Sequence, residues 1–288
     1  MLKIFTDVLD PFLWGIFPII RQFERKYKNF SYEFVMGGLI GDYEEFLPKN
    51  FRDKNSLELG NKILYDMYRA SGTLTKMPGF SKSPNLFTED YKSSYPLDKY
   101  FLSVKEIDED ISKDYMRKIL EEAIIFGKNI FELETQKEIV EDFGLDFEDF
   151  KFNYENSQDI FLQNRMETFD YRIKKFPGFL ITENNRVLQN IMDFSRVEEF
   201  LLENLDLEER DENLSEEEKI LDYIRSYDLV LKDEIKIVFG EDNKLEDLLK
   251  DGIVEIKKVN SFEILEMAWD KIIRQKFSFN FKNFKNLL

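Results

Sequence analysis

A chain of 288 residues, 43% hydrophobic and 34% charged, has material for one large or two ordinary domains and a globular rather than a disordered composition. It contains no Cys and no His, which excludes disulfides, thiolate metal sites and thiol nucleophiles and removes the commonest metal ligand; neither a metal nor a cofactor is expected. Its 41 bases and 58 acids leave a net charge of −17, which repels nucleic acid and anionic lipid and makes a protein the expected partner.

Leu2 to Phe5 reads as a short buried strand. The apolar run Phe12 to Ile20 follows Asp7 and Asp10, is interrupted by Gly15 and Pro18, and is too short to span a bilayer, so no membrane span and a cytoplasmic location are expected. Phe12, Ile16, Ile19, Ile20, Phe23 and Tyr27 instead recur at helical spacing, with Asn29 as the helix end. Ser31 to Met36 alternates as a strand before Gly37-Gly38, and strand, helix, strand over so short a distance implies a parallel pair crossed by a helix. From Tyr43 onward the period is helical: Phe51 to Ser71 ended by Gly72, Leu97 to Val104, Ser112 to Gly127, Thr135 to Phe143 before Gly144, and Phe147 to Tyr154 started by Asp146. Lys76 to Tyr95 is a loop within this stretch. Gly178 to Thr182 and Arg186 to Leu188 form a hairpin about Glu183-Asn184-Asn185, and Ser195-x-x-Glu198 opens a helix through Leu205.

The order is that of an α/β thioredoxin fold, residues 1–42 and 166–205, split by a helical insertion over 43–165. Between Glu203 and Glu218 nine acids face one base, Arg210, and 206–218 reads as a solvated acidic linker. Residues 219–270 then give three helices, the first capped by Ser215 with Glu218, and a hairpin, Ile253 to Val259 with Phe262 to Leu265: a small winged-helix-like module. Bases and acids both number 13 from Lys219 to Leu288, no electrostatic footprint for DNA. The tail 271–288 has five bases, no acid, and Phe277, Phe279, Phe281 and Phe284; folding back on the acidic body, docking elsewhere and contact with a membrane surface stay open.

Three separated blocks carry a family resemblance. Phe5-Thr6-Asp7 through Trp14-Gly15 to Pro18-Ile19-Ile20-Arg21 resembles the active-site strand and helix of the DsbA-like thioredoxin-fold proteins; Phe34 to Leu39 is similar to their second strand, and Phe176-Pro177-Gly178 to their cis-proline loop. The resemblance places the two thiols at Asp10 and Leu13, where neither residue can form a mixed disulfide. It implies a cis bond before Pro177 and a groove or partner-binding surface from Asp10, Pro11, Phe12, Leu13, Trp14, Phe176 and Pro177. More loosely, Leu221 to Ile224, Leu229-Val230, Leu245 to Leu249 and Trp269 resemble the C-terminal extension of Spx adaptors, which present a transcription regulator to a Clp-type protease. That likeness implies a redox-inactive adaptor. The alternative is a cysteine-independent glutathione-binding isomerase or transferase of the DsbA or kappa type, from which Asp10 departs because a carboxylate repels a thiolate.

The residues themselves support blander roles. Asp10 before Pro11 is a favoured helix start, and the helix dipole is expected to lower its pKa and make it a poor proton donor. Leu13, with Phe12, Trp14 and Phe176, either makes an apolar mouth or packs beneath the helical insertion. Glu106, Asp108, Glu109 and Asp110 read as a solvated face, and Gly37-Gly38 lacks dinucleotide-binding spacing.

Overall fold

The computed structural model describes residues 1–49, 56–191, 194–210 and 213–268. They divide into two compact units, Met1–Glu209 and Arg210–Leu288. No helix among the described residues is long and apolar enough to cross a membrane.

The first unit is built on a four-stranded sheet in the order β2-β1-β3-β4. Strand β1 (Leu2–Thr6) runs parallel to β2 (Tyr32–Met36), with Ile4 opposite Phe34 and Phe5 opposite Val35. Helix α1 (Pro11–Lys26) crosses between them, as a parallel pair requires. On β1's other side, β3 (Gly178–Ile181) is antiparallel and turns into β4 (Arg186–Leu188), with Asn185 at φ 54 in the turn. Between β2 and β3 the described residues form six α-helices: α2 (Ser56–Thr75), α3 (Tyr95–Ile107), α4 (Glu109–Ile124), α5 (Leu133–Asp142), α6 (Phe147–Asn156) and α7 (Gln158–Asp170). Helix α8 (Ser195–Asn204) follows β4. This is the strand–helix–strand, helical insertion, hairpin, helix order read from the sequence.

Several boundaries move, each for a physical reason. Helix α2 runs through Gly72 instead of ending there, because that glycine permits a close approach: a Cβ would lie 2.7 Å from the Met77 carbonyl oxygen. The chain leaves the helix at Lys76, φ 66, and the expected start at Phe51 lies outside the described residues. Helix α4 begins three residues before Ser112 because Asp108 accepts hydrogen bonds from Asp110 N and Ile111 N. Helix α8 has Phe194 at its N-cap and no side-chain cap, so the expected Ser195 capping box does not form. Helix α7, which buries only Phe161 and Thr168, was not delimited from the sequence beyond the helical period read to about Asn164, and the insertion boundary drawn at residue 165 falls inside it.

Residues 206–209 are not linker. Asn29, expected to end α1, donates to the Asp206 carbonyl at 2.7 Å and accepts from Glu208 N at 2.9 Å. Lys28 N donates to the Glu208 carbonyl, and Tyr27 pairs with Glu209, so the acidic segment is bound to the first unit.

Gly15 shows why Trp14 is followed by glycine. A Cβ there would stand 2.2 Å from Thr75 Cγ2, and Thr75 is itself tied by its hydroxyl to the Ser71 carbonyl. Gly15→Ala is expected to destabilise the first unit by about 1–3 kcal/mol despite the better helix propensity of alanine, measured as a lowered denaturation midpoint.

The second unit contains α9 (Glu216–Ser226), β5 (Val230–Leu231), α10 (Lys232–Phe239), α11 (Leu245–Lys250), β6 (Val254–Val259) and β7 (Phe262–Met267). Ser215 and Glu218 form the capping box that starts α9. The sheet is antiparallel in the order β5-β7-β6, and β5 is a strand the sequence did not disclose. Ile220, Tyr223, Ile235, Leu248, Val254 and Leu265 form its core, into which Tyr223 carries a hydroxyl that donates to the buried Glu234. Trp269 and the basic tail 271–288 lie outside the described residues.

Candidate functional site

The sequence motif converges on the C-terminal end of β1. Thr6 leaves the strand, Asp7 turns the chain, and Asp10 caps α1 by accepting from Phe12 N at 3.0 Å through Oδ1. Its Oδ2 accepts from the Thr6 hydroxyl at 3.0 Å. Pro11 at the first helical position has no N–H to leave unsatisfied, which completes the helix start.

Asp7 joins three segments. Its Oδ1 accepts from Leu9 N at 2.8 Å, and its Oδ2 accepts from Leu39 N and the Ser94 hydroxyl, both at 2.5 Å. Asp98 on α3 accepts from Val8 N at 2.9 Å. The result is a buried cluster of three carboxyl groups, Asp7, Asp10 and Asp98, with Ser94 and Thr6. Tyr68, on α2, is buried and finds no partner for its hydroxyl among the described residues.

The electrostatics follow from the absence of water. Burial, then the charge of Asp7, pushes Asp98 well above the ordinary carboxylate range. Asp98 Oδ2 has no hydrogen-bond partner among the described residues. Burial also raises Asp7, against its hydrogen bonds from Ser94, Leu39 and Leu9. Burial lifts Asp10 to about 7, opposed by Phe12 N and the Thr6 hydroxyl and aided by the charge of Asp7. The expected lowering of Asp10 by the helix dipole is thus overturned: at 1% exposure, desolvation outweighs the terminus. No group of acidic side chains among the described residues is arranged to hold a metal ion.

The proposed partner surface does not open here. Leu13 is 0% exposed and Trp14 1%, and Pro11 and Pro177 are also buried. Trp14 donates from Nε1 to the Pro78 carbonyl at 2.9 Å, with the Arg117 guanidinium 4.0 Å from its ring. Phe12 is half-buried against Phe194, their rings stacked at 5.6 Å. The Phe176–Pro177 bond is cis, but the Phe176 ring lies over Gly37, where a Cβ would come within 2.0 Å of it, and packs with Phe5, Val35, Ile173 and Leu180. Strand alternation puts Phe5 and Val35 on the sheet face opposite Ile4 and Phe34, and α1 packs on the latter through Phe17. The seven residues therefore do not form one exposed patch. Leu13 is fully buried and does not make an apolar mouth.

Sequence reasoning missed Asp98, Tyr68 and the role of Ser94. A signal existed for Asp98: it is an acid among the apolar positions Leu97, Phe101, Leu102 and Val104 of α3.

No family model matches the chain, and no curated protein matches it. Its likeness is to solved structures. It aligns over 70% of its length with 97% of a protein from Nitrosomonas europaea provisionally described as a disulfide isomerase, at TM-score 0.54 and 14% identity. It aligns over 68% with 90% of the cytosolic disulfide reductase DsbM of Pseudomonas aeruginosa, at TM-score 0.51 and 17% identity. A Streptomyces coelicolor protein provisionally described as a DsbA oxidoreductase matches over 70% of this chain and 88% of its own, at TM-score 0.52 and 10% identity. The fold is DsbA-like. At these identities the likeness fixes the fold alone, and chemistry is argued from the residues.

Proposed function

We propose that this DsbA-fold chain is redox-inactive and works as a protein-binding scaffold in the cytoplasm, as an adaptor that presents a regulatory protein to a Clp-type protease. One observation carries the first part. The chain keeps the fold of thiol–disulfide oxidoreductases, has no cysteine, and fills the positions that resemble the two thiols with a hydrogen-bonded Asp10 and a fully buried Leu13. A nucleophile for disulfide exchange has to be a thiolate that reaches solvent, and neither residue meets either requirement. The adaptor part is supported by the second unit, whose three helices and β5-β7-β6 sheet fit the winged-helix-like reading, and by its loose resemblance to the Spx adaptor extension.

The test is affinity capture with the full chain in its native host, followed by degradation of the captured regulator with and without the chain. Co-purification of a Clp component or an Spx-like regulator, and slower turnover of that regulator in cells lacking the chain, is the expected result. Recovery of neither sinks the adaptor reading.

One neighbour, DsbM, is also known with glutathione bound, which keeps the glutathione alternative testable. Both Asp10 oxygens accept protein hydrogen bonds and the residue is 1% exposed, so its carboxyl is not presented to solvent where a sulfur could meet it. Calorimetric titration is expected to show no heat at millimolar glutathione; a saturable signal would restore the enzyme.

A further inference from the structure

Helix α7 presents two different faces. Its inner face is fixed to the sheet and to α3: Asn164 Oδ1 accepts from Met36 N at 3.0 Å, Glu167 pairs with Lys3 at 2.6 Å, and Phe161 meets the Tyr95 ring at 5.1 Å. Its outer face carries Leu162, Met166 and Phe169 in the i, i+4, i+7 pattern, at 43%, 65% and 80% exposure. Three large apolar side chains in one helical stripe on an anchored helix are not a fraying end or scattered surface residues. The anchoring contacts all lie on the inner face, so the outer stripe is not among them.

Charge selects what covers it. Asp159 and Asp170 are exposed and lie eleven residues apart, which on a helix is about three turns and the same edge of the stripe, some 16 Å from end to end, while Arg165 on the opposite edge has its guanidinium over the Tyr95 ring at 4.9 Å and the Phe161 ring at 5.8 Å. A second copy of this chain would bring like charges together, within a molecule already at −17. A cationic partner gains from both features. Met166 at the centre of the stripe, with three rotatable bonds, adapts to a partner's side chains.

We propose that α7 is a docking ridge for a cationic amphipathic helix of a partner protein, held by Leu162, Met166 and Phe169 and aligned by Asp159 and Asp170. This rests on the scaffold reading above and relocates its contact from the closed thiol site to the insertion.

The test uses the full chain and a fluorescein-labelled Leu/Lys amphipathic helical peptide of about eighteen residues, roughly five turns, read by fluorescence anisotropy. Met166→Ser with Phe169→Ser, which keeps every charge, is expected to weaken binding about tenfold or more. Asp159→Asn with Asp170→Asn is expected to weaken it several-fold at about 0.05 M salt and much less at about 0.5 M. Peptide-dependent slowing of amide exchange should fall on residues 158–170. An unchanged affinity in the serine variant, equal binding of a scrambled peptide, or equal binding of a Leu/Glu counterpart overturns the proposal. Affinity capture separates the two readings: a host partner retained equally by the serine variant refutes the ridge and leaves the scaffold, whereas no partner for either form refutes the scaffold.

Discussion

Asp10→Asn is expected to stabilise the first unit at about pH 8 and to lose that advantage as the pH falls toward 4. The folded carboxyl titrates near 7, raised chiefly by burial, while an unfolded one titrates near 4. A group whose folded pKa is raised costs nothing below the unfolded value, where both states are protonated. The cost grows as pH rises and is complete above the folded value. The full difference corresponds to about 4 kcal/mol as an upper bound, because Asp7 and Asp98 share the cluster and respond to the same change. Asparagine is as good an N-cap as aspartate, so Oδ1 still accepts from Phe12 N while the charge is gone. Denaturant titrations at about pH 5, 6, 7 and 8, with amide exchange of β1 and α1 as the local readout, decide it. If Asp10→Asn destabilises equally at every pH, Asp10 is a charged cap held by the helix dipole and the buried-acid account fails. The wild-type first unit should itself weaken from pH 5 to pH 8, the reverse of a protein whose carboxylates are salt-bridged.

That expectation separates what the sequence disclosed from what it did not. Asp10-Pro11 is legible as a helix start because capping is local: the acceptor and the N–H it meets are two residues apart. Its protonation is not local. It depends first on burial, which the folded chain creates, and on the charge of Asp7, whose carboxyl accepts from the Ser94 hydroxyl 87 residues away in the chain. The same division runs through the fold. Gly144 and Asp146 mark ends that the structure places within a residue of expectation, because φ +73 and an accepting carboxylate are properties of single positions. Gly72 misleads, because its purpose is a contact with Met77 that only the folded chain creates. Helix α7 is hidden for a different reason: it carries apolar residues on both faces, Phe161 inward and Leu162, Met166 and Phe169 outward, so no single apolar face stands out against a polar one. The candidate surface was sought at the resemblance's thiol positions, yet three exposed apolar residues in one stripe, Leu162, Met166 and Phe169, stand on α7.

Trp14→Ala is expected to be the most damaging single change in the first unit, costing about 3–5 kcal/mol. The indole is 1% exposed, its N–H satisfies the Pro78 carbonyl, and its ring faces the Arg117 guanidinium at 4.0 Å. Arg117 is in turn buried and paired with Glu121 at 2.7 Å. Removing the ring leaves a cavity, an unsatisfied carbonyl and a buried cation that keeps only the more distant Phe17 ring at 5.3 Å, three penalties with separate causes. Trp14→Phe keeps an aromatic face for Arg117 and loses chiefly the donor to Pro78, so its cost should be smaller, about 1–3 kcal/mol. Midpoints and slopes from guanidinium titration of both variants test the order. A loss below about 1 kcal/mol for Trp14→Ala would mean that α1 is not wedged against α2 and α4 as the contacts require. The result bears on why Trp14-Gly15 stands in a chain without thiols. Trp14 fills the space between α1, the Pro78 loop and Arg117 of α4, and Gly15 lets α2 approach at Thr75. Neither task involves a sulfur, so the packing half of the motif has a physical reason to persist when the reactive half is replaced by a buried acid and a leucine.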